Sequence, residues 1–373
     1  MAIDAGDVFG KMIEDARILG EARMLRDEQP LTDELRNAVI SRLQKFLEST
    51  KKSADTAARS MGISAATLSQ VLSGNYGADT EKHIRTIDRW TEQQIMREAA
   101  PKPPGYVLTN VAEQIYGVVR WGMKTGGIVV IHGPNGCGKT MTLQTIRAET
   151  PGCIYISINS SGRKVRSVLE TLSQALRMGN VKLSGSQMFT QIVSVLKDTG
   201  RLIIVDECHK LAGRSNDDAL HVLRDLHDAT GCPMVWAGNG KIADYIQEGK
   251  TGGHDPLDQI FGRISVWLNL TELASDGGDD GNRLYTVSDI QKVFSASKLR
   301  ITPDAARYLM LLANDSSFGC LRAAKNLALM AEMMAKDGPI TADLLRTIQR
   351  HRLGRRGAEL VDAQLEEAAK AVA

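Results

Sequence analysis

The residues with the clearest chemistry run from Gly133 to Thr140. They read GPNGCGKT, a G-x-x-x-x-G-K-T loop set between an apolar run, Ile128–His132, and a helix-like stretch, MTLQTIRAE. Glycines there let backbone N–H groups turn inward around phosphate oxygens without a Cβ clash, and the following helix points its positive end at the same anion. The loop is thus expected to hold ATP through Gly133, Pro134, Asn135, Gly136, Cys137, Gly138, Lys139, Thr140 and Met141. Lys139 reaches the β- and γ-phosphates, and Thr140 offers its hydroxyl to Mg²⁺. A second apolar run, Leu202–Val205, ends in Asp206 and Glu207. Acids at the carboxyl end of such a strand lie beside a phosphate loop. Asp206 would hold the Mg²⁺ shell, and Glu207 would orient or deprotonate an attacking water. A third run, PMVWAGNG, ends at Asn239, which by itself reads as a turn residue before glycine.

These side chains need a scaffold that brings several strand ends together. Four short apolar runs, IVVIHG, IYISIN, LIIVDE and PMVWAG, alternate with helical stretches, which predicts an α/β core with a parallel sheet covered on both faces. Residues 1–100 carry helical patterns only, and AAPKPPGY has three prolines and a glycine, so residues 101–106 read as a linker. The α/β core then spans 107–272, the polar ASDGGDDGN reads as a loop, a helical lid follows over 283–350, and 351–373 form a basic knot followed by a polar helix or frayed tail.

Within 51–90 the sequence predicts a helix-turn-helix. Ala54–Met61 is the first helix, Gly62 the turn, Ser64 the cap of a second helix over Ala65–Leu72, and Gly74 its end. Ile63, Leu68 and Leu72 are expected in the core, with Ile87 and Trp90 packed beneath. Thr67, Ser69 and Gln70 fall on or near the outer face, where short polar side chains allow close approach to a DNA groove. A small helical bundle without DNA contact fits the same pattern.

Composition narrows the partners. Lys plus Arg is 46 against 44 Asp plus Glu, a net charge of +2, so the 373-residue chain is no bulk polycation, although local basic patches remain open. Aromatics are only 5%, which argues against a base-stacking platform. Five scattered cysteines without a CxxC pair argue against a disulfide framework or zinc cluster and for a reducing cytoplasm. No uncharged apolar run approaches the roughly 18 residues of a membrane span, and the acidic N-terminus lacks a signal-peptide design. His221 and His227 are spaced unlike a helical metal-ligand pair, so a metal-hydrolase reading is set aside.

The order of motifs resembles AAA+ ATPases from about Val107 to Ile348. That resemblance makes Asn239 a sensor 1 residue, the FGRI segment an arginine-finger segment with Arg263 as the finger, and FGCLRAAKNLALMA a sensor 2 helix carrying Arg322. A salt-bridged surface arginine stays open at Arg263, and a solvent-facing one at Arg322. Together with SMGISAATLSQVLSGNYGADTEKHIRTIDRW, which has a Gly-Ile-Ser turn, Asn-Tyr-Gly after the second helix and a helix ending in Arg-Trp, the chain resembles the phage Mu B transposition protein family. The resemblance implies ATP-dependent polymerisation on double-stranded DNA as a filament or ring, presentation of that DNA as transposition target, stimulation of a transposase, and release on hydrolysis, in the cytoplasm of a bacterial host. Residues 1–45 and the tail past Arg350 depart from the family pattern and leave the transposase contact undetermined.

Sequence-blind DNA contacts are expected from Arg163, Lys164 and Arg166 in SSGRKVRS, and from Lys210 and Arg214 just after the run that ends in Asp206 and Glu207, with HRLGRR as a third basic cluster. A solvated basic helix start is the plain alternative for the first. Two other readings use the same motifs: a helix-turn-helix transcriptional regulator with a nucleotide switch, and a helicase-loader-like ATPase.

Overall fold

The computed structural model describes residues 31–74, 80–99, 105–179, 183–213, 217–251, 255–272, 284–297, 299–335 and 338–370. The chain divides into two compact units, Met1–Lys102 and Pro103–Ala373. Arg214, the ASDGGDDGN loop, most of the proline-rich linker and residues 1–30 lie outside the described residues.

In the first unit, α1 (Asp33–Thr50), α2 (Ala54–Met61), α3 (Ala65–Leu72) and α4 (Thr80–Ala99) bury one face each. Ser53 and Ser64 cap α2 and α3 by accepting from the N–H groups of Thr56 and Thr67. Gly62 closes α2 at φ 74, a left-handed position that costs glycine nothing. The shared core is Leu43 and Phe46 from α1, Ala57 and Ala58 from α2, Leu68 and Val71 from α3, and Ile84, Ile87 and Trp90 from α4, with Phe46 and Trp90 edge to face at 5.9 Å. Ile63 and Leu72 are only partly buried, and Val71 takes the core position that the sequence assigned to Leu72. The eight-residue α3 starts at Ala65, so Val71 stands three residues after Leu68 on its buried face. Ser69 and Gln70 are exposed, and the Thr67 hydroxyl lies 2.8 Å from that of Ser64.

The second unit opens with α5 (Asn110–Thr125) and then alternates strands and helices: β1 (Ile128–His132), α6 (Lys139–Glu149), β2 (Ile154–Ser157), α7 (Val165–Ala175), α8 (Gly185–Leu196), β3 (Ile203–Asp206), a 3₁₀ turn (Cys208–Leu211), α9 (Asp218–Thr230), β4 (Met234–Gly238), α10 (Gly240–Thr251), α11 (Asp255–Phe261) and β5 (Ile264–Asn269). The five strands form one sheet in the order β2-β3-β4-β1-β5, all parallel. This is the α/β architecture expected from the apolar runs. β1 and β4 are buried at every residue, as strands covered on both faces must be. The fully buried Trp236 on β4 is one of the largest side chains in this core. Trp236→Ala should cost about 3–5 kcal/mol and lower the denaturant midpoint of this unit, read by chemical unfolding.

The lid consists of α12 (Val287–Ser295), α13 (Pro303–Asn314), α14 (Cys320–Met334) and α15 (Ala342–Lys370). A capping box between Thr286 and Asp289 starts α12, and Asp289 also accepts from the Asn110 N–H, tying the lid to α5. The sequence reads residues from 351 as a basic knot followed by a polar helix or frayed tail, and here helix runs on to Lys370. Gly354 and Gly357 suggest a break, but the Ala- and Glu-rich segment beyond them consists of strong helix formers. An ion pair joins Arg350 to Asp362 at 3.8 Å, although a straight helix would separate them by about 18 Å. The helix therefore bends between them, where the two glycines fall.

Candidate nucleotide site

β1 delivers its last residue, His132, into the glycine loop, and α6 begins as the loop ends. Gly136 and Gly138 take φ values of 87° and 89°, the left-handed region that side chains avoid. Gly136 has a second constraint: a Cβ there would sit 2.1 Å from the carbonyl oxygen of Gly319 at the start of the lid helix α14. The Arg322 N–H donates to the Gly136 carbonyl at 3.2 Å, and the Tyr285 hydroxyl donates to the Cys137 carbonyl at 2.7 Å. Lid and loop are therefore fastened at successive peptides. Gly136→Ala should force them apart and add about 1–2 kcal/mol of backbone strain, weakening ATP binding about tenfold or more, as titration calorimetry would show.

Lys139 is only 9% exposed and donates to the carbonyls of Gly133 and Pro134 at 2.9 and 2.8 Å. Thr140 and Met141 are exposed in the first turn of α6. A cavity of about 470 Å³, within the range of about 300–1,000 Å³ typical for ligand pockets, opens over this loop. Its wall comprises Asn135, Gly136, the run Gly138 to Met141, Glu207 and His209, Gly238, and the α14 residues Arg322, Lys325 and Asn326.

Because β4 lies between β1 and β3, the carboxyl ends of β1 and β3 flank the same crevice. Asp206, 1% exposed, accepts from the Tyr155 hydroxyl at 2.8 Å and from the Glu207 N–H at 2.8 Å, so both its oxygens are oriented. Glu207 sits at φ 59, a strained conformation for this residue type that turns its side chain into the cavity wall. Its carboxylate lies 2.9 Å from the Lys210 ammonium and 3.8 Å from the His209 ring. Burial alone would push the Glu207 carboxyl up, but the hydrogen bond and charge of Lys210, with His209 and Lys139 behind it, hold it below the usual carboxylate range. Burial in turn lowers His209.

The residues fit a triphosphate and a divalent cation: backbone donors on a glycine cradle, an ammonium, an exposed threonine hydroxyl and an oriented buried carboxylate stand at one crevice. Other candidate residues are placed differently. Asn239 caps the start of α10, accepting from the Lys241 N–H at 3.1 Å, and the cavity wall beside it is Gly238. Arg263 lies outside its own chain's cavity, its side chain 48% exposed, and donates to Asp228 at 2.8 Å. Arg163 and Lys164 are exposed at the start of α7, while Arg166 pairs with Glu170 at 2.8 Å. Lys210, read from sequence as a phosphate ligand of DNA, is committed to Glu207 and to the Ile158 carbonyl at 2.9 Å.

Sequence reasoning missed His209, Tyr155, Gln144 and Lys325. Lys325 had a signal: it stands three residues after Arg322 on one helix face. Burial depresses its ammonium below the ordinary lysine range.

Residues 122–246 match the AAA domain family. Over 236 residues, 62% of this chain and 73% of the relative, the chain is 26% identical to the ATP-dependent target DNA activator B of Escherichia phage Mu. The protein of the same name from Escherichia phage D108 matches to the same extent. The chain carries an AAA+ ATPase domain and is similar to these two target DNA activators. Among solved structures, a Walker-type ATPase from Pyrococcus abyssi gives a TM-score of 0.44 at 12% identity, covering 70% of this chain and 74% of its own. No helix among the described residues is long and apolar enough to cross a membrane.

Proposed function

We propose that this ATPase assembles on double-stranded DNA when it binds ATP, presents that DNA as a transposition target and stimulates a transposase. The observation that carries this reading is the position of Arg263: half-exposed and away from its own cavity, it suits a second copy's nucleotide site. The likeness to two proteins named ATP-dependent target DNA activator supports the DNA part. Five free cysteines suit a reducing bacterial cytoplasm.

In this reading the loop N–H groups bind the β- and γ-phosphates, and Lys139 exchanges carbonyl partners for phosphate oxygens, which are stronger acceptors for an ammonium. Thr140 and Asp206 hold Mg²⁺, which when bound offsets the charge of the phosphates. Glu207 takes the proton of the attacking water, and Asn239 helps to orient that water. Arg322 closes on the γ-phosphate from the lid, while Arg263 of a neighbouring copy stabilises charge developing on the transferred phosphoryl group. Adjacent subunits are thereby held together only while the γ-phosphate is present.

Assembly multiplies weak contacts. Arg163, Lys164 and Arg166 supply backbone phosphate contacts, and the exposed face of α3, with Thr67, Ser69 and Gln70, supplies a second DNA surface in the N-terminal unit. Anisotropy titrations on random-sequence duplexes of increasing length test this. Affinity should rise with length in ATP, fall steeply with salt and be lost in ADP. Lys139→Ala should remove the ATP dependence, because its loop can no longer hold the γ-phosphate. Equal affinity for short and long duplexes, indifferent to nucleotide, would contradict assembly.

A further inference from the structure

Two carbonyls of the phosphate loop are held from the lid. The Gly136 carbonyl accepts from the Arg322 N–H at 3.2 Å, and the Cys137 carbonyl accepts from the Tyr285 hydroxyl at 2.7 Å. Arg322 stands in the first turn of α14, where N–H groups have no partner within the helix, so the loop satisfies one of them. Backbone makes that contact, and no side-chain change removes it. The second contact rests on one phenol. Tyr285 is 1% exposed, and a Cβ on Gly138 would lie 3.4 Å from its hydroxyl oxygen.

The ring is anchored where it stands. Asn314, the last residue of α13, brackets the Tyr285 backbone: its side-chain oxygen accepts from the Tyr285 N–H at 3.0 Å, and its amide donates to the Tyr285 carbonyl and to the Met310 carbonyl, each at 2.8 Å. Burial pushes the phenol well above the ordinary tyrosine range, so the hydroxyl stays a donor. A peptide unit is planar and trans, so its C=O and N–H point to opposite sides. Holding the Cys137 carbonyl on the lid side fixes the Gly138 N–H on the other, and Gly138 lines the nucleotide cavity. Glycine on one side of this peptide leaves it free to rotate unless something holds it.

We infer that Tyr285 is a positioning residue of the nucleotide site: its hydroxyl holds the Cys137–Gly138 peptide so that the Gly138 N–H is preset toward the phosphates, which makes the lid part of the phosphate cradle. The inference rests on the phosphate-binding role given above to the loop. Tyr285 touches no phosphate itself. It removes the reorientation that the loop would otherwise undergo when ATP arrives, and an N–H aimed in advance gives a full charge-assisted hydrogen bond. The lid's grip and phosphate affinity therefore change together. A lid that swings away frees the peptide and loosens the nucleotide.

The test compares wild type, Tyr285→Phe and Leu312→Ala as full-length protein. Tyr285→Phe keeps the buried ring and removes only the hydroxyl. Leu312 is fully buried in α13, so Leu312→Ala weakens the lid's own core without touching the loop. In Tyr285→Phe the Kd for ADP, by titration calorimetry, and the KM for ATP should each rise about tenfold, the scale of one well-aimed hydrogen bond to a phosphate, while kcat at saturating ATP stays within about twofold. In protein carrying isotope-labelled glycine, the Gly138 amide proton should move downfield on ADP binding in wild type and much less in the variant. Leu312→Ala should lower the denaturant midpoint more than Tyr285→Phe does and leave Kd and KM near wild type. Unchanged Kd and KM in Tyr285→Phe, a lowered kcat at unchanged KM, or a Gly138 amide that shifts as far as in wild type would overturn the inference. An equal loss of affinity in Leu312→Ala would overturn it as well, because lid stability would then account for the effect. Wild type that binds neither ADP nor ATP would instead sink the reading of the loop as a nucleotide site.

Discussion

Arg263→Ala is expected to lower DNA-stimulated ATP hydrolysis by about 10³–10⁵-fold, the scale of losing a cation supplied to a phosphoryl-transfer transition state. ATP affinity of the unassembled protein should hardly change, since Arg263 does not line its own cavity. The Asp228 partner is no obstacle. A solvent-exposed pair of this type is screened and contributes little, so the guanidinium can exchange it for a phosphate readily. The geometry makes a further demand. Lys139→Ala retains a sound finger, and Arg263→Ala retains a sound phosphate loop. Mixing the two inactive proteins should restore part of the activity, because the finger of one subunit completes the site of the other. Steady-state turnover of each variant and of the mixture measures both effects. A mixture as inactive as its components would mean that Arg263 acts within its own chain or not at all.

Glu207→Gln should be nearly as severe for hydrolysis and opposite in its effect on assembly. Loss of the general base costs about 10²–10⁴-fold in kcat. The amide keeps the shape of the side chain, and the phosphate loop is untouched, so ATP still binds. With the γ-phosphate retained, the protein should stay on DNA instead of leaving it. Single-turnover hydrolysis and dissociation rates from DNA, measured on the same preparation, separate the two. Fast release of the Glu207→Gln protein from DNA in ATP would disconnect hydrolysis from disassembly.

Chain distance separates the features legible in the sequence from those that only the folded chain brings together. The glycine loop is legible because its conformation is dictated within eight residues: glycines at the left-handed positions Gly136 and Gly138, then a helix start at Lys139. Asp206 and Glu207 are legible because an uninterrupted apolar strand must end near the sheet's carboxyl edge. The strand order is a different matter, since nothing local in Pro233–Gly238 states that this strand inserts between β1 and β3. Contacts across large separations were invisible for the same reason. Tyr155 reaches Asp206 from the neighbouring strand, and Lys210 reaches Ile158 just beyond that same strand, so a lysine that reads as a DNA ligand by type is a partner of Glu207 by position. Asn239 shows the reverse: its place at the end of β4 was readable, but its side chain is engaged as a local helix cap, which its type favours anyway.

If nucleotide state governs assembly on DNA without regard to sequence, electron microscopy of the full-length protein on random-sequence duplex DNA, in ATP, in ADP and without nucleotide, shows it most directly. Regular filaments or rings covering the DNA in ATP alone, and absent with Lys139→Ala, are the predicted result. Discrete particles at one preferred site, the same in all three conditions, would contradict it and make the N-terminal helical unit a sequence-specific reader.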